Sequence, residues 1–354
     1  MTGRLEADAT VVVDDPIEAS TVLARGFFGT LGGPGRLSLD RFESVYLSEM
    51  GRLGVVDARG RPVAWPDVYR RAARTGADFA VRYIVYRDLR QRGYVVRASP
   101  APAAFAVLPR GGVLHKTPAR YWVGVYSERV PFDLAALVDL VRRGQGAKKA
   151  VLLGVVDEES DLTYYRVRRP APVGSLPPTR LTAPAPGWLA HDRVTIFDPA
   201  AVEALGRGLA YGSRIGDRLE VSLLEAGHLV ATGQLALRDA RSRRAIPAER
   251  LDRIARRLDR GYGERSIAYR ALRSAGLVVK TGFKYGAHFR AYPRSPEHAH
   301  ARYLVNAVPA DHVGTWPTIA GNVRVAQGVR KEYLLAAVGP DARVDFLALE
   351  RVRP

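Results

Sequence analysis

The sequence predicts an α/β protein of mixed α+β type, in which one folding unit occurs twice along the chain. Three observations support this prediction. Blocks of sequence recur in fixed order, helix and strand patterns alternate within each copy, and a proline-rich stretch separates the copies. At roughly 100–200 residues per domain, 354 residues are enough for two such units.

Composition excludes several other classes of protein. The chain is 47% hydrophobic and 25% charged and contains no Cys, which excludes disulfide-stapled, collagen-like and long disordered chains as well as thiolate catalysis. No apolar run approaches the ~20 residues needed to span a bilayer, and the first thirty residues do not resemble a signal peptide. We therefore expect a cytoplasmic protein with no membrane partner.

The charge balance points to a polyanionic partner. Lys and Arg number 54 against 36 Asp and Glu, which gives a formal charge of +18. Such an excess favours nucleic acid over other partners.

The repeat is defined by matched blocks at an offset of 182 to 183 residues. They are Asp15-Pro16 and Arg25-Gly26 with Asp198-Pro199 and Arg207-Gly208, Tyr86 to Arg97 with Tyr269 to Lys280, Ala119 to Val123 with Ala301 to Val305, and Lys149 to Leu153 with Lys331 to Leu335. Prolines between the copies disfavour helix and remove backbone donors. We expect a degenerate first copy over 1–169, a Pro-rich linker over 170–190, and a second copy over 191–354. The second copy is expected to divide into parts 191–262 and 263–354.

Helix and strand patterns can be assigned in order within each copy. Phe79, Tyr83 and Tyr86 form one helical stripe in a helix expected over 79–92, which Gly93 ends before a strand at Tyr94-Val-Val96. The second copy repeats this pattern with a helix from Ile267 to Ala275, Gly276, and a strand at Leu277-Val-Val279.

Further strands are expected towards the end of each copy. In the second copy, the strands Ala301 to Val308 and Tyr333 to Val338 enclose a helix expected near Asn322 to Lys331. The segments Leu162 to Val167 and Phe346 to Leu349 are expected as the terminal strands of the two copies.

Differences between matched positions indicate where the chemistry lies. Leu108 aligns with Tyr292, Pro118 with His300, and Lys149 with Lys331. The second copy therefore has a Tyr, a His and a Lys where the first retains only the Lys.

These three residue types suit cleavage of RNA by its own 2′-hydroxyl group. One group takes the 2′-OH proton, another protonates the leaving 5′-oxygen, and a cation stabilises the charge on phosphorus, without a metal or other cofactor. A Tyr acts as base only if nearby cations lower its pKa, and Arg290 and Lys331 are the candidates. Tyr285 and His298 are rivals to Tyr292 and His300; Tyr285 is expected in a turn, and His298 would face the same side as His300 in a strand.

Arg324 and Lys331 are seven residues apart, which places them on nearly the same face of a helix. Both are then expected to face one phosphate-binding cleft, where the Arg324 guanidinium can stack on an unpaired base. Arg290 and Arg343 are further candidates for substrate binding.

Three blocks in the second copy resemble the signature blocks of archaeal tRNA-splicing endonucleases. They are Gly282 to Tyr292, His300 to Val305, and Val323 to Lys331. The resemblance implies that Tyr292 is the general base, His300 the general acid and Lys331 the transition-state stabiliser, with Arg324 clamping a bulged base. It further implies excision of introns from precursor tRNA at bulge-helix-bulge sites, leaving 2′,3′-cyclic phosphate and 5′-hydroxyl ends.

The resemblance is to the fused, homodimeric members of that family, in which an acidic loop of the degenerate unit enters a basic pocket of the opposing catalytic unit. Asp157, Glu158, Glu159 and Asp161 stand where that loop belongs, although a charge run of this kind is usually a solvated hairpin tip. An alternative function is that of a catalytically silent RNA-binding subunit in a heteromeric enzyme. The retained Tyr, His and Lys argue against that alternative.

Overall fold

The protein is described here from a computed structural model that covers residues 1–33, 35–177 and 180–354. Pro178 and Thr179, which belong to the predicted linker, lie outside the described residues. Within the described ranges, no helix is both long enough and apolar enough to cross a membrane.

Helices occur throughout the described chain. They are α1 (Pro16–Ala24), α2 (Arg41–Glu49), α3 (Trp65–Ala73), α4 (Phe79–Gln91), α5 (Leu134–Gly146), α6 (Pro199–Ala201), α7 (Leu223–Ala231), α8 (Ala248–Leu258), α9 (Tyr262–Ser274) and α10 (Trp316–Gly328). A π-helical segment, Val202–Gly208, continues α6, and a 3₁₀ turn covers Phe283–Tyr285.

The strands alternate with these helices. In the first half of the chain they are β1 (Thr2–Leu5), β2 (Val11–Val13), β3 (Thr30–Gly32), β4 (Arg36–Leu39), β5 (Gly54–Val56), β6 (Pro62–Val63), β7 (Val96–Ala98), β8 (Phe105–Val107), β9 (Tyr121–Ser127), β10 (Phe132–Asp133), β11 (Ala150–Val156) and β12 (Leu162–Arg168). In the second half they are β13 (Ala185–Ala190), β14 (Arg193–Ile196), β15 (Ser213–Ile215), β16 (Arg218–Ser222), β17 (Leu235–Asp239), β18 (Val278–Thr281), β19 (Phe289–Tyr292), β20 (Tyr303–Pro309), β21 (Val313–Gly314), β22 (Glu332–Val338) and β23 (Val344–Val352).

The described chain divides into two compact units, the first made of Met1–Val130, Asp139–Arg166 and Val352–Pro354, and the second of Pro131–Val138 and Val167–Arg351. The order of elements in the first copy returns in the second. In the first copy, β1 pairs antiparallel with β2 and parallel with β5. In the second copy, β13 pairs antiparallel with β14 and parallel with β17, so the same pairing pattern recurs. The mixed α/β class and the internal duplication predicted from sequence are confirmed.

The repeated Asp-Pro pair has a local structural reason. Asp15 and Asp198 each cap a helix whose first residue is the following proline. The Asp15 carboxylate accepts hydrogen bonds from two backbone amides of the first turn, and that of Asp198 accepts from one. Proline suits this position because its missing N–H would have no partner within the helix.

The predicted linker needs a correction at its C-terminal end. Residues 185–190 form β13, which pairs with two strands of a five-stranded sheet, so the connecting segment cannot extend to residue 190. The part before β13 is fastened by backbone hydrogen bonds: the amides of Gly174 and Leu176 donate to the carbonyls of Ala275 and Gly276, at 2.8 and 2.9 Å. The segment is extended, as its prolines require, but it is bound to the second unit.

One hydrophobic core holds the second unit together. Buried residues from Ala185 to Ala348 form a single cluster that includes both the five-stranded sheet and the strands β18 to β20 and β22. Helix α9 begins at Tyr262, five residues before the predicted start, and ends before Gly276, which has φ +78°. Gly93 ends α4 in the same way with φ +85°. A positive φ is accessible to glycine without steric cost, so both predicted helix stops are confirmed.

In each unit, a buried glutamate on a helix early in the copy pairs with a cation on a strand later in the same copy. In the second unit, Glu225 accepts a hydrogen bond from the Gly212 amide at 2.8 Å, and the Lys280 ammonium lies 3.7 Å from the same carboxylate. In the first unit, Glu43 accepts from the Gly29 amide at 3.0 Å and pairs with Arg97 at 2.8 Å. The same device at matched positions shows that the two copies are assembled in the same way.

Candidate active site

In the sheet that contains β19, β20 and β22, three strand ends lie next to one another. β19 runs antiparallel to β20, and β20 runs parallel to β22. Tyr292 is the last residue of β19, His300 lies three residues before β20, and Lys331 lies immediately before β22. The end of β19 and the beginnings of β20 and β22 are therefore adjacent, so the fold brings the backbone positions of the three predicted residues to the same end of these strands.

Backbone hydrogen bonds fix these strand ends. The Arg302 amide donates to the carbonyl of Ala291 at 3.0 Å, and the Glu332 amide donates to the carbonyl of Arg302 at 2.9 Å. These bonds connect the residue before Tyr292, a residue two beyond His300, and the residue after Lys331.

Tyr292 is largely buried. Its side chain is 7% exposed and belongs to a small apolar cluster with Ala210, Val278 and Ala301. Because Ala301 follows His300 directly, this cluster holds the backbone of His300 close to the Tyr292 ring. The guanidinium carbon of Arg290 lies 5.9 Å from the centre of that ring. Of the two cations predicted to lie near Tyr292, Arg290 therefore has its guanidinium beside the ring.

His300 is exposed in the loop between β19 and β20. The rival His298 is exposed in the same loop, where its amide donates to the carbonyl of Ser295 at 3.0 Å. The segment is not a strand, so strand geometry does not determine which way the two imidazoles face.

The helix expected near Asn322 to Lys331 lies earlier in the chain. Thr315 caps α10, which begins at Trp316 and ends at Gly328, and Arg330 has φ +55°. This left-handed conformation breaks the helix, so Lys331 does not share a helical face with Arg324. The Lys331 ammonium instead donates to the carbonyl of Val329 at 3.1 Å and lies 5.7 Å from the centre of the Tyr285 ring.

Two predicted substrate-binding arginines are placed differently. Arg324 is exposed on α10, and no ion pair involves it in the part of the chain that the structure describes. Arg343 lies in the turn between β22 and β23, with a side chain 91% exposed and paired with Asp341 at 3.3 Å. A strand of seven residues separates Arg343 from Lys331, which corresponds to about 20 Å. The structure therefore does not bring Arg343 to the strand ends where Lys331 lies.

A cleft of about 470 Å³ adjoins Lys331. Its lining includes four cations, Arg168, Arg302, Arg330 and Lys331, and two carboxylates, Glu332 and Glu350. Glu332 pairs with both Arg168 and Arg302, so it holds two guanidinium groups beside the catalytic candidate. A cleft with this excess of positive charge suits a phosphate.

Sequence reasoning missed a polar cluster behind these strand ends. The hydroxyl of Tyr333, at the second position of β22, accepts hydrogen bonds from the side-chain amides of Asn306 at 3.3 Å and Asn322 at 3.2 Å. These bonds connect α10 with β20 and β22. The sequence contains a signal for this cluster, because Asn306 is a polar residue within the otherwise apolar strand β20.

The acidic segment forms the turn between β11 and β12. Asp157 is part of the turn's own structure, because its carboxylate accepts from the amides of Glu159 and Asp161 at 3.0 and 2.8 Å. Glu158 pairs with Arg129 at 2.7 Å. Glu158, Glu159 and Asp161 are exposed. In the described residues, no three His, Asp and Glu side chains are grouped so that they could hold a metal ion.

Comparison with known proteins adds independent information. The family model described as the tRNA intron endonuclease catalytic C-terminal domain matches residues 79–164 and 263–346, and the one described as the N-terminal domain matches residues 1–69 and 185–252. A curated tRNA-splicing endonuclease from Methanosarcina acetivorans is 34% identical over 357 residues, with 100% of both chains covered. The one from Methanosarcina mazei is 35% identical, covering 93% of this chain and 92% of the relative. The one from Natronomonas pharaonis is 36% identical, covering 92% and 93%. These organisms are archaea, as the resemblance implied.

Proposed function

Because the chain belongs to the tRNA intron endonuclease family, we propose that it excises introns from precursor tRNA by metal-independent transesterification at bulge-helix-bulge sites. The observation that supports this proposal is that the backbone positions of Tyr292, His300 and Lys331 lie at neighbouring strand ends of one sheet. At the matched positions of the first copy stand Leu108 and Pro118, which cannot transfer protons.

Each residue has one role in the proposed reaction. Tyr292 takes the proton of the 2′-hydroxyl as its oxygen attacks the adjacent phosphorus. The bond between phosphorus and the 5′-oxygen breaks, and His300 donates a proton to that leaving oxygen. Lys331 stabilises the additional negative charge on the phosphoryl oxygens. The products are a 2′,3′-cyclic phosphate and a 5′-hydroxyl end.

The surroundings of each group support its assigned role. The guanidinium carbon of Arg290 lies 5.9 Å from the centre of the Tyr292 ring, so a cation stands beside the proposed base. His300 is exposed and can reach a leaving group in a bound RNA, and the cationic cleft beside Lys331 suits the phosphodiester backbone. Exposed Arg324 on α10 is available to stack on a base displaced at the bulge.

We also propose a homodimer in which the acidic turn of one protomer enters a pocket in the second unit of its partner. A cavity of about 530 Å³ in the second unit is lined by three cations, Arg193, Arg265 and Lys280, and by two carboxylates, Glu220 and Glu225, of which Glu225 pairs with Lys280 at 3.7 Å. Burial lowers the pKa of Lys280, and an incoming carboxylate would favour its charged form. Exposed Glu159 and Asp161 are available for such a contact, because Asp157 already belongs to the fold of the turn.

The direct test is incubation of the purified chain with an intron-bearing tRNA precursor in excess chelator. We expect excision at both splice sites and cyclic-phosphate ends, with no requirement for added magnesium. Intact RNA would contradict the enzymatic function, whereas cleavage that requires magnesium would contradict only the mechanism. A precursor in which the bulges are replaced by paired bases is the matched control and should remain uncut.

A further inference from the structure

The strongest feature outside the proposed active site is a stripe of arginines on α8. This helix buries Leu251 and Ala255 against the core of the second unit. Arg250, Arg253 and Arg257 follow at spacings of three and four residues, which places them on one stripe of the opposite face. All three side chains are exposed, and none of them forms an ion pair in the described part of the chain. At 1.5 Å per residue, the stripe is about 10 Å long.

A second group of arginines adjoins the beginning of this stripe. Arg241, Arg243 and Arg244 are exposed in the turn between β17 and α8. Asp239 holds that turn by accepting from the amides of Ser242 and Arg241, at 2.6 and 3.1 Å. These hydrogen bonds are the main reason that the pKa of Asp239 is lowered, and the positive charge of Arg250 also lowers it. We call these six arginines the basic face.

The first copy provides an internal comparison. At the positions that match Arg250, Arg253 and Arg257, helix α3 and the residue after it carry Asp67, Arg70 and Arg74. Asp67 forms an ion pair with Arg70. In the preceding turn, Arg61 pairs with Asp57 at 2.7 Å. The same fold is thus built with an aspartate and two ion pairs in this region of the first copy and with unpaired arginines in the second, so folding does not require the basic face.

We propose that the basic face binds the phosphate backbone of a duplex segment of the precursor RNA that lies outside the splice-site bulges. Guanidinium groups bind phosphate through paired hydrogen bonds, and a stripe of them matches a row of phosphates. No aromatic residue occurs between Arg238 and Arg260, so this surface lacks the aromatic side chains on which proteins that bind single-stranded RNA stack successive bases, and this favours a duplex. The inference rests on the proposed function for the identity of the RNA.

The test compares two RNAs with one set of variants. Arg250→Gln, Arg253→Gln and Arg257→Gln are combined, since glutamine keeps helix propensity, and Kd is measured at several salt concentrations for the full precursor and for a minimal RNA with only the two bulges and their helix. For the full precursor we expect affinity to fall roughly tenfold and the slope of log Kd against log salt to decrease by about one per arginine removed. For the minimal RNA we expect a change within about twofold, because it lacks the contacted duplex.

Two further variants sharpen the result. Arg70→Gln with Arg74→Gln changes the matched helix of the first copy and should leave both affinities within about twofold. Arg250→Asp introduces the acid found at the matched position, where it would pair with Arg253, and should weaken binding of the full precursor more than Arg250→Gln does. Duplex RNA should compete for the basic face better than unpaired RNA of equal length.

Three results would overturn the inference, and a fourth would overturn the proposed function on which it rests. Unchanged affinity of the triple variant for the full precursor would remove the surface from RNA binding. Equal losses on both RNAs would place the contact at the splice sites. A reduced light-scattering mass would mean that α8 is a protein interface. If the wild-type chain neither binds nor cuts any precursor, the proposed function fails first, and this result is distinct from the other three.

Discussion

The Lys331 ammonium lies 5.7 Å from the centre of the Tyr285 ring. Lys331 stands outside α10, in a short connection before β22, where Arg330 has φ +55°. Tyr285 belongs to a 3₁₀ turn between β18 and β19 that ends at Gly286, with φ +65°. The face of an aromatic ring attracts a cation, so Tyr285 limits the positions that the ammonium can adopt. We infer that Tyr285 is a positioning residue for Lys331.

Replacing Tyr285 therefore distinguishes positioning from proton transfer. We expect Tyr285→Leu to lower the single-turnover cleavage rate roughly tenfold, with little change in the Kd for RNA, because the ammonium loses its aromatic neighbour. Tyr285→Phe keeps the ring and should remain within about twofold of the wild-type rate. Tyr292→Phe removes the proposed base and should lower the rate by about a hundredfold or more.

The same three variants decide between the two tyrosines. If Tyr285→Phe abolished cleavage while Tyr292→Phe did not, Tyr285 would be the base and the assignment of Tyr292 would be wrong. Equal rates for Tyr285→Leu and the wild type would remove the positioning role.

Local signals in the sequence were sufficient for much of the fold. Gly93 and Gly276 both end their helices with positive φ, as predicted, because a helix stop depends on a few neighbouring residues. The helix before Lys331 was placed too late, since periodicity did not show that Arg330 would leave the helical region. The approach of Lys331 to Tyr285 was not predictable, because it depends on how a turn and a strand connection distant in sequence pack together.

A variant of His300 tests the general acid. We expect His300→Ala to lower cleavage by about 10²- to 10⁴-fold while RNA affinity remains nearly intact, because the leaving 5′-oxygen then departs without a proton. A substrate with a 5′-sulfur leaving group, which needs no protonation, should recover most of the rate. His298→Ala, in the same exposed loop, is the matched control and should stay within about twofold. Failure of the sulfur substrate to restore the rate would contradict the acid role.

In the proposed dimer, the acidic turn between β11 and β12 contributes to the association of the two protomers. Glu159→Ser combined with Asp161→Ser should weaken the dimer, since both carboxylates are exposed and are proposed to enter the partner's basic cavity. Asp157 is kept, because its hydrogen bonds to two amides maintain the turn. Asp341→Ser in the matched turn of the second copy is the control. Light scattering over a dilution series measures the effect, and an unchanged dimer mass at the lowest concentration would exclude the docking contact.

The half-buried His228 leads us to expect that stability depends on pH. Burial, followed by the charges of Arg273 and Arg270, lowers the pKa of His228 to about 4. Its ring stacks 6.2 Å from that of Tyr211 and lies 5.8 Å from that of Tyr269. An unfolded chain binds a proton at this imidazole below its ordinary pKa of 6.5, whereas the folded chain does not do so until about pH 4. The free energy of unfolding should therefore decrease through His228 as pH falls from 6.5 to 4.

The matched residue of the first copy supplies the variant for this measurement. Tyr46 occupies the position of His228, so His228→Tyr replaces the imidazole with a side chain that the same fold accommodates. Urea unfolding at pH 7, 5.5 and 4.5 should show the wild type losing stability relative to His228→Tyr as pH falls. The comparison between variants is necessary because other groups titrate in this range, above all Glu43, whose pKa burial raises to about 7 and which acts in the opposite direction. Such groups contribute equally to both proteins and cancel in the difference. If the free energies of unfolding of the wild type and of His228→Tyr changed in parallel with pH, the imidazole would bind its proton equally well in the folded and unfolded chains. The lowered pKa of His228 in the folded chain would then be wrong.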